Sequence, residues 1–283
     1  MNNYKLNLKE SPEDNRDFIV ISKSNKYPNT LDFRPYLENV RNQGEQGSCF
    51  AFAVSSMKEI QEHKDYNFEG YMSPQFFYDV RSNLYDDDKT NDEGMFGRDV
   101  MKILSKIGIC KEHEYPYGVE NSKHKNKIAK TIYDSAKKHT CSSYGRIYSI
   151  NELKISLYEN GPCLICMPVY NYGPKMWKKE HDTQELLGGH AMCIVGYTNK
   201  DFIIRNSWGD KWEDEGYCYY PFSEWNSHWE IWTSIDSKTK IEHEQTYNDS
   251  LLYDDWVKFV HNIDKTVYYA SIFGLLSGIF WIF

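Results

Sequence analysis

The chain of 283 residues lacks an excess of positive charge. Its formal net charge is −8, which argues against nucleic acid as the main partner, because phosphate binding needs a basic surface. The lysine-rich stretch from Lys123 to Lys138 is a local exception and reads as a solvated helix face. A secretory hydrophobic segment is also lacking. Such a segment needs about 7–15 apolar residues, and the first apolar run here is only Phe18-Ile-Val-Ile21. Cysteine does not come in pairs: seven is odd, so at least one thiol stays reduced or pairs between chains. Cys163 and Cys166 form a C-x-x-C, but inside an apolar run of strand character after Gly161-Pro162. Residues three apart on a strand face opposite ways and could not readily grip one metal, so no metal and no cofactor are expected. A reducing compartment suits these features better than a secreted one.

What is present is ordinary globular composition, with 40% hydrophobic and 26% charged residues, enough to bury a large core. The stretch Gln43-Gly-Glu-Gln-Gly-Ser-Cys49-Phe-Ala-Phe52 sets one cysteine at the mouth of an expected helix, six residues after a glutamine. Downstream come Gly188-Gly189-His190-Ala191 and Asn206-Ser-Trp208-Gly209. His190 lies 141 residues after Cys49 (190 − 49), and Asn206 lies 16 after His190 (206 − 190). A thiol, an imidazole and a carboxamide in that order are the parts of an activated-nucleophile triad. Helix is expected at Cys49–Glu62, Tyr71–Tyr78 and Gly97–Lys106; strands are expected in the runs 163–167, 192–195, 202–204 and 216–220.

On these motifs the chain resembles the papain-like cysteine proteases, almost continuously from Leu31-Asp-Phe-Arg-Pro35 to about Asp236. The resemblance implies an α+β, two-lobed fold, with a helical left domain, a β-rich right domain and the active-site cleft between them. It implies Cys49 as nucleophile, His190 as its proton partner, Asn206 orienting the imidazole, and Gln43 directing its amide at the oxyanion. Trp208 would shelter the Asn–His bond, and Trp212 matches the second tryptophan of the Asn-Ser-Trp-Gly-x-x-Trp run. Gly94, Met95, Phe96 and Gly189 would line the substrate groove, Met95 and Phe96 walling the pocket for the second residue before the cut. Protein or peptide substrates follow, with hydrolysis by an endopeptidase. The adjacent histidines of the cathepsin B branch's occluding loop have no counterpart.

The chain also departs from the pattern. Phe50 replaces a tryptophan, Gln46 stands where secreted members carry a disulfide cysteine, and Asp92-Glu-Gly-Met-Phe-Gly97 keeps only part of a paired-glycine loop. Two other readings stay open: a silent papain-like binding module, and acyl transfer or ligation on the same site.

Four segments are expected. Residues 1–27 form a short polar leader, whose inhibitory role is open, and 28–236 the catalytic body. Residues 237–263 form a linker, and 264–283 a candidate transmembrane helix. The uncharged run from Thr266 to Phe283 has 18 residues, about 27 Å as a helix and just enough for a thin bilayer. Tyr268, Tyr269 and Trp281 lie near its ends, and Ala270, Gly274 and Gly278 mark a face suited to helix pairing. Such an anchor without a signal peptide would leave the protease facing the cytosol.

Overall fold

After Ser48 come eighteen residues without proline or glycine, and they form α1, Cys49–Tyr66. Asn67 ends the helix in the left-handed conformation with φ 53°, one of the few side chains that tolerate it. The helix is buried on all sides from Cys49 to Glu62, so even its charges are internal. Lys58 Nζ meets Glu62 at 2.9 Å and also pairs with Asp236, which keeps a fully buried ammonium compensated.

This arrangement comes from a computed structural model, which describes residues 4–14, 17, 26–85, 94–118 and 128–237. The candidate membrane helix 264–283, and all but the first residue of the linker 237–263, lie outside these residues. Among the described residues no helix is long and apolar enough to cross a membrane.

Among the described residues there follow α2 Pro74–Tyr85, α3 Gly97–Lys106 and, later, α4 Lys130–Ala136. Helix α2 begins three residues after the expected Tyr71. Ser73 Oγ accepts the Phe76 N–H at 3.0 Å, and Pro74 takes the first helical position, where a missing N–H costs nothing. Helix α3 has the expected bounds.

The second half of the chain supplies most of one antiparallel sheet. Its strands are β1 Leu31–Asp32, β2 Cys141–Arg146, β3 Cys163–Val169, β4 Gly188–Tyr197, β5 Asp201–Arg205, β6 Tyr217–Pro221 and β7 Glu230–Asp236. The order is β2-β7-β3-β4-β5-β6, with β1 added on β4. Helix α5, Ile150–Asn160, precedes β3 and starts on Ser149, whose side chain accepts the Glu152 N–H. Strands β3 and β4 are almost wholly buried and read as continuous apolar runs. Ile165, Met167, Ile194, Phe202, Ile204 and Ile231 form the centre of that core. Strands β1, β2 and β7 were not among the expected runs; in β2 the sequence Cys-Ser-Ser-Tyr-Gly-Arg carries little apolar signal.

Two placements matter for the site. Helix α1 packs against β4, and β4 carries His190 opposite Met167 of β3. Asn206 follows directly on β5. An isolated bridge between Asn42 and Trp208 then draws the segment before Cys49 against the segment after Asn206.

Candidate active site

Asn206 Oδ1 accepts two hydrogen bonds, from the backbone N–H of Ser207 at 2.7 Å and from His190 Nε2 at 2.7 Å. The first bond settles which end of the carboxamide faces the ring. Since oxygen faces it, Nε2 carries the proton and Nδ1 of a neutral ring keeps its lone pair. Nδ1 is buried and makes no hydrogen bond among the described residues. Trp208 stacks on the imidazole with centroids 4.8 Å apart, and Trp212 meets Trp208 edge-on at 5.3 Å.

Cys49 heads α1 and is 1% exposed. Cys166, paired in register with Ala191 beside His190, lies within electrostatic reach of it. Helix α1, which Cys49 heads, packs against β4, the strand that carries His190. Gln43 is held at both ends of its amide: Nε2 donates to the Gln46 carbonyl at 2.9 Å, and Oε1 accepts from Ser207 Oγ at 2.7 Å. Its backbone N–H bonds the Ser207 carbonyl at 2.8 Å. Tyr117 OH donates to the Gln43 carbonyl and meets Ser48 Oγ, both at 2.8 Å, tying the loop to the residue before the thiol.

The leader passes over these groups. Tyr4 stacks on Trp208 at 4.7 Å and 4°, and its hydroxyl bonds the Trp208 carbonyl. The Leu8 N–H donates to the Gly189 carbonyl at 3.3 Å, and the Lys9 N–H to the Met95 carbonyl at 2.9 Å. Short parallel bridges join Asn7 to Gly189 and Lys9 to Phe96. Gly94 has φ +78°, and a Cβ there would stand 1.7 Å from the Asn7 carbonyl oxygen, so only glycine admits the strap. Further on, Asp17 accepts from Arg98 Nε at 2.6 Å and Nη2 at 2.7 Å, with Arg146 at 3.8 Å.

Comparison with known proteins decides the family. The model described as "Papain family cysteine protease" matches residues 27–243. This chain belongs to the papain cysteine protease family. Among relatives of the family, an uncharacterised peptidase C1-like protein of Acanthamoeba polyphaga mimivirus is 28% identical over 64% of this chain. Mouse (Mus musculus) cathepsin K is 30% identical over 68% of it. The matches span 63% and 59% of those two relatives' own lengths. The solved structure of xylellain, a cysteine protease from Xylella fastidiosa, superimposes with a TM-score of 0.68 at 26% identity, covering 83% of this chain and 97% of that one.

Within this family member, the sequence-derived residues divide into two groups in space. His190, Asn206, Trp208 and Trp212 touch one another or stand in line, and Gln43 joins them through Ser207. Gly94, Met95, Phe96 and Gly189 are brought together by the leader, which bonds or contacts each of them. Sequence reading missed Ser207, Tyr4, Asp17 and Glu230. Ser207 was visible inside the Asn-Ser-Trp motif; the other three carry no local signal, since their roles come from long-range pairing.

Burial pushes the His190 imidazole down to about 4, with the Asn206 bond opposing it. Burial and the Arg146 charge push His228 down to about 4 as well. Both rings are neutral at pH 7. A histidine with a folded pKa below its unfolded value of about 6.5 stabilises fully above that value and loses the contribution as pH falls towards 4. Each ring accounts for up to about 3 kcal/mol over that window. The buried Glu59 carboxyl is pushed upward and acts in the opposite sense. The urea midpoint is therefore expected to fall between pH 6.5 and 4.5, and His228→Asn to flatten the slope. An unchanged slope in that variant would remove His228 from the balance.

Proposed function

We propose that this chain is a thiol endopeptidase, hydrolysing peptide bonds of proteins through a Cys49 thiolate and a His190 imidazolium. The observation that carries this reading is the Asn206 carboxamide, oriented by the Ser207 N–H so that His190 Nε2 carries the proton and Nδ1 keeps its lone pair, on a strand packed against the helix that Cys49 heads. In the reaction, Nδ1 takes the thiol proton, and Sγ attacks the scissile carbonyl to give a tetrahedral oxyanion. The Gln43 amide and the Cys49 backbone N–H stabilise that charge. Collapse breaks the C–N bond, the imidazolium gives its proton to the leaving amine, and an acyl-enzyme remains. Water, deprotonated by His190, then releases the acid. The helical first half and the sheet of the second half act as two lobes, with the substrate lying where the leader lies between Gly189 and Met95. The leader is thus a strap that blocks the site.

The test uses the full chain with an epoxide inhibitor of papain-like enzymes, read by intact mass and peptide mapping. One adduct on Cys49 is expected. No adduct, even after Leu8→Pro with Lys9→Pro removes the two leader N–H donors, would refute the reading, as would adducts scattered over other cysteines. Gln43→Ala is expected to lower kcat on the order of 10²–10³ with KM little changed. Near wild-type turnover would remove Gln43 from the oxyanion site; a matching fall in thermal midpoint would make its role structural.

A further inference from the structure

The two groups assigned to the oxyanion, the Gln43 amide and the Cys49 N–H, stand at opposite ends of one loop. Four residues separate Gln43 from Ser48, and two of them are Gly44 and Gly47. Gly44 takes the left-handed conformation at φ +62°, and a Cβ there would meet nothing within 4 Å. Such a loop does not by itself hold two donors at a fixed separation. Inside it, the Gly44 N–H bonds Asn42 Oδ1 at 2.8 Å. The Gln46 carbonyl accepts from Gln43 Nε2 at 2.9 Å and from the Ser48 N–H at 2.8 Å.

Tyr117 closes the loop from outside. Its hydroxyl has one hydrogen, which goes to the Gln43 carbonyl at 2.8 Å. The contact with Ser48 Oγ, also at 2.8 Å, is therefore donated by the serine and accepted by the phenol oxygen. One oxygen atom thus grips both ends of the loop, the residue that carries the amide and the residue before the thiol. The phenol is itself anchored. Phe52 of α1 meets its ring edge-on at 4.8 Å, and the Tyr117 N–H bonds Glu112 Oε1 at 2.7 Å. Glu112 Oε2 accepts from Nη1 of Arg41, two residues before Gln43, at 2.9 Å. The ties form a closed ring from Gln43 through Tyr117, Glu112 and Arg41 back to Gln43. Resting on the reading of this site as a peptidase, we propose that Tyr117 is a positioning residue for the reaction, its hydroxyl setting the separation of the two oxyanion donors. It acts through Gln43 and Ser48 rather than on the substrate. Preorganised donors stabilise a transition state because they need no reorganisation as the charge develops, and the phenol supplies that order.

The experiment compares Tyr117→Phe with its parent, the full chain carrying Leu8→Pro and Lys9→Pro. Phenylalanine keeps a ring against Phe52 and removes one oxygen. A roughly tenfold fall in kcat is expected with KM little changed, the size of one or two neutral hydrogen bonds. The inhibition constant of a peptide aldehyde, whose adduct with Cys49 carries an oxygen at the same place, is expected to rise by a similar factor. Alkylation of Cys49 by iodoacetamide builds no such oxygen, and its rate is expected to stay the same. On a Gln43→Ala background the same change is expected to cost under about twofold, because a donor it positions is gone. A merely structural role would slow alkylation as well and keep its full effect beside Gln43→Ala. Either of those results, or an unchanged kcat, would overturn the assignment while leaving the peptidase reading intact. Ser48→Ala removes the other arm of the clamp and is expected to give the same pattern at smaller size. It decides by the same comparisons if Tyr117→Phe fails to fold. If the parent neither cuts peptides nor takes an epoxide on Cys49, the peptidase reading itself fails, and the assignment with it.

Discussion

Replacing Cys49 by alanine is expected to abolish peptide cleavage, a loss of roughly 10⁶-fold, while the protein stays folded. The size follows from the division of labour in such a site. Without the thiol no acyl-enzyme forms, and the oxyanion donors alone stabilise only a slow attack by water. The fold should tolerate the change because the sulfur is one atom at the head of a helix whose burial rests on Phe50, Phe52, Met57 and Ile60. Turnover and thermal midpoint are the two readouts. Retained turnover with a normal midpoint would give the reaction to another nucleophile. The other thiols are poor candidates. None of the seven cysteines is in a disulfide, and burial pushes Cys110, Cys166, Cys193 and Cys218 up, and Cys141 and Cys163 up to about 12. They stay protonated and unreactive at neutral pH.

The second large effect runs the other way. Asp17→Ala in the full chain is expected to raise kcat/KM on the order of 10- to 100-fold. Asp17 meets Arg98 through two hydrogen bonds at 2.6 and 2.7 Å, and the pair is largely shielded from water. Hydrogen bonds to charged groups contribute about 1.5–3 kcal/mol, and the variant leaves the guanidinium without its acid. The strap keeps its pairing with Gly189 and Met95 but loses its anchor beyond Ser11. Initial rates on a fluorogenic peptide and the rate of epoxide labelling should rise together. Unchanged rates would mean that the leader does not limit access to Cys49.

Much of this was legible in the residues themselves. The thiol at a helix start, the Gly-Gly-His run and the Asn-Ser-Trp segment are local patterns: the first opens α1, the second begins β4 itself rather than preceding it, and the third follows β5 directly. The start of helix α2 was misplaced by three residues because the expected run from Tyr71 begins before the Ser73 cap that starts the helix, and its end, at Tyr85, lies seven residues past the expected Tyr78. Strand β2 was invisible because it lies at the sheet margin with a polar, glycine-containing sequence. The leader's course was beyond sequence reasoning altogether. Ser11 meets Glu230 across 219 positions, and no periodicity in either segment encodes that meeting. A tertiary contact between two polar residues leaves no trace in composition.

The strap is covalently part of what it covers, and this sets how it can be relieved. Its local concentration is set by its covalent attachment, so dilution does not open the site. A separate peptide of the same residues would have to match that concentration to act equally well. One cut between Asp17 and the body would change the regime: the segment would become an ordinary ligand at nanomolar or micromolar concentration and diffuse away. Release by such a cut is therefore a one-way event, while release by competition is graded and reversible.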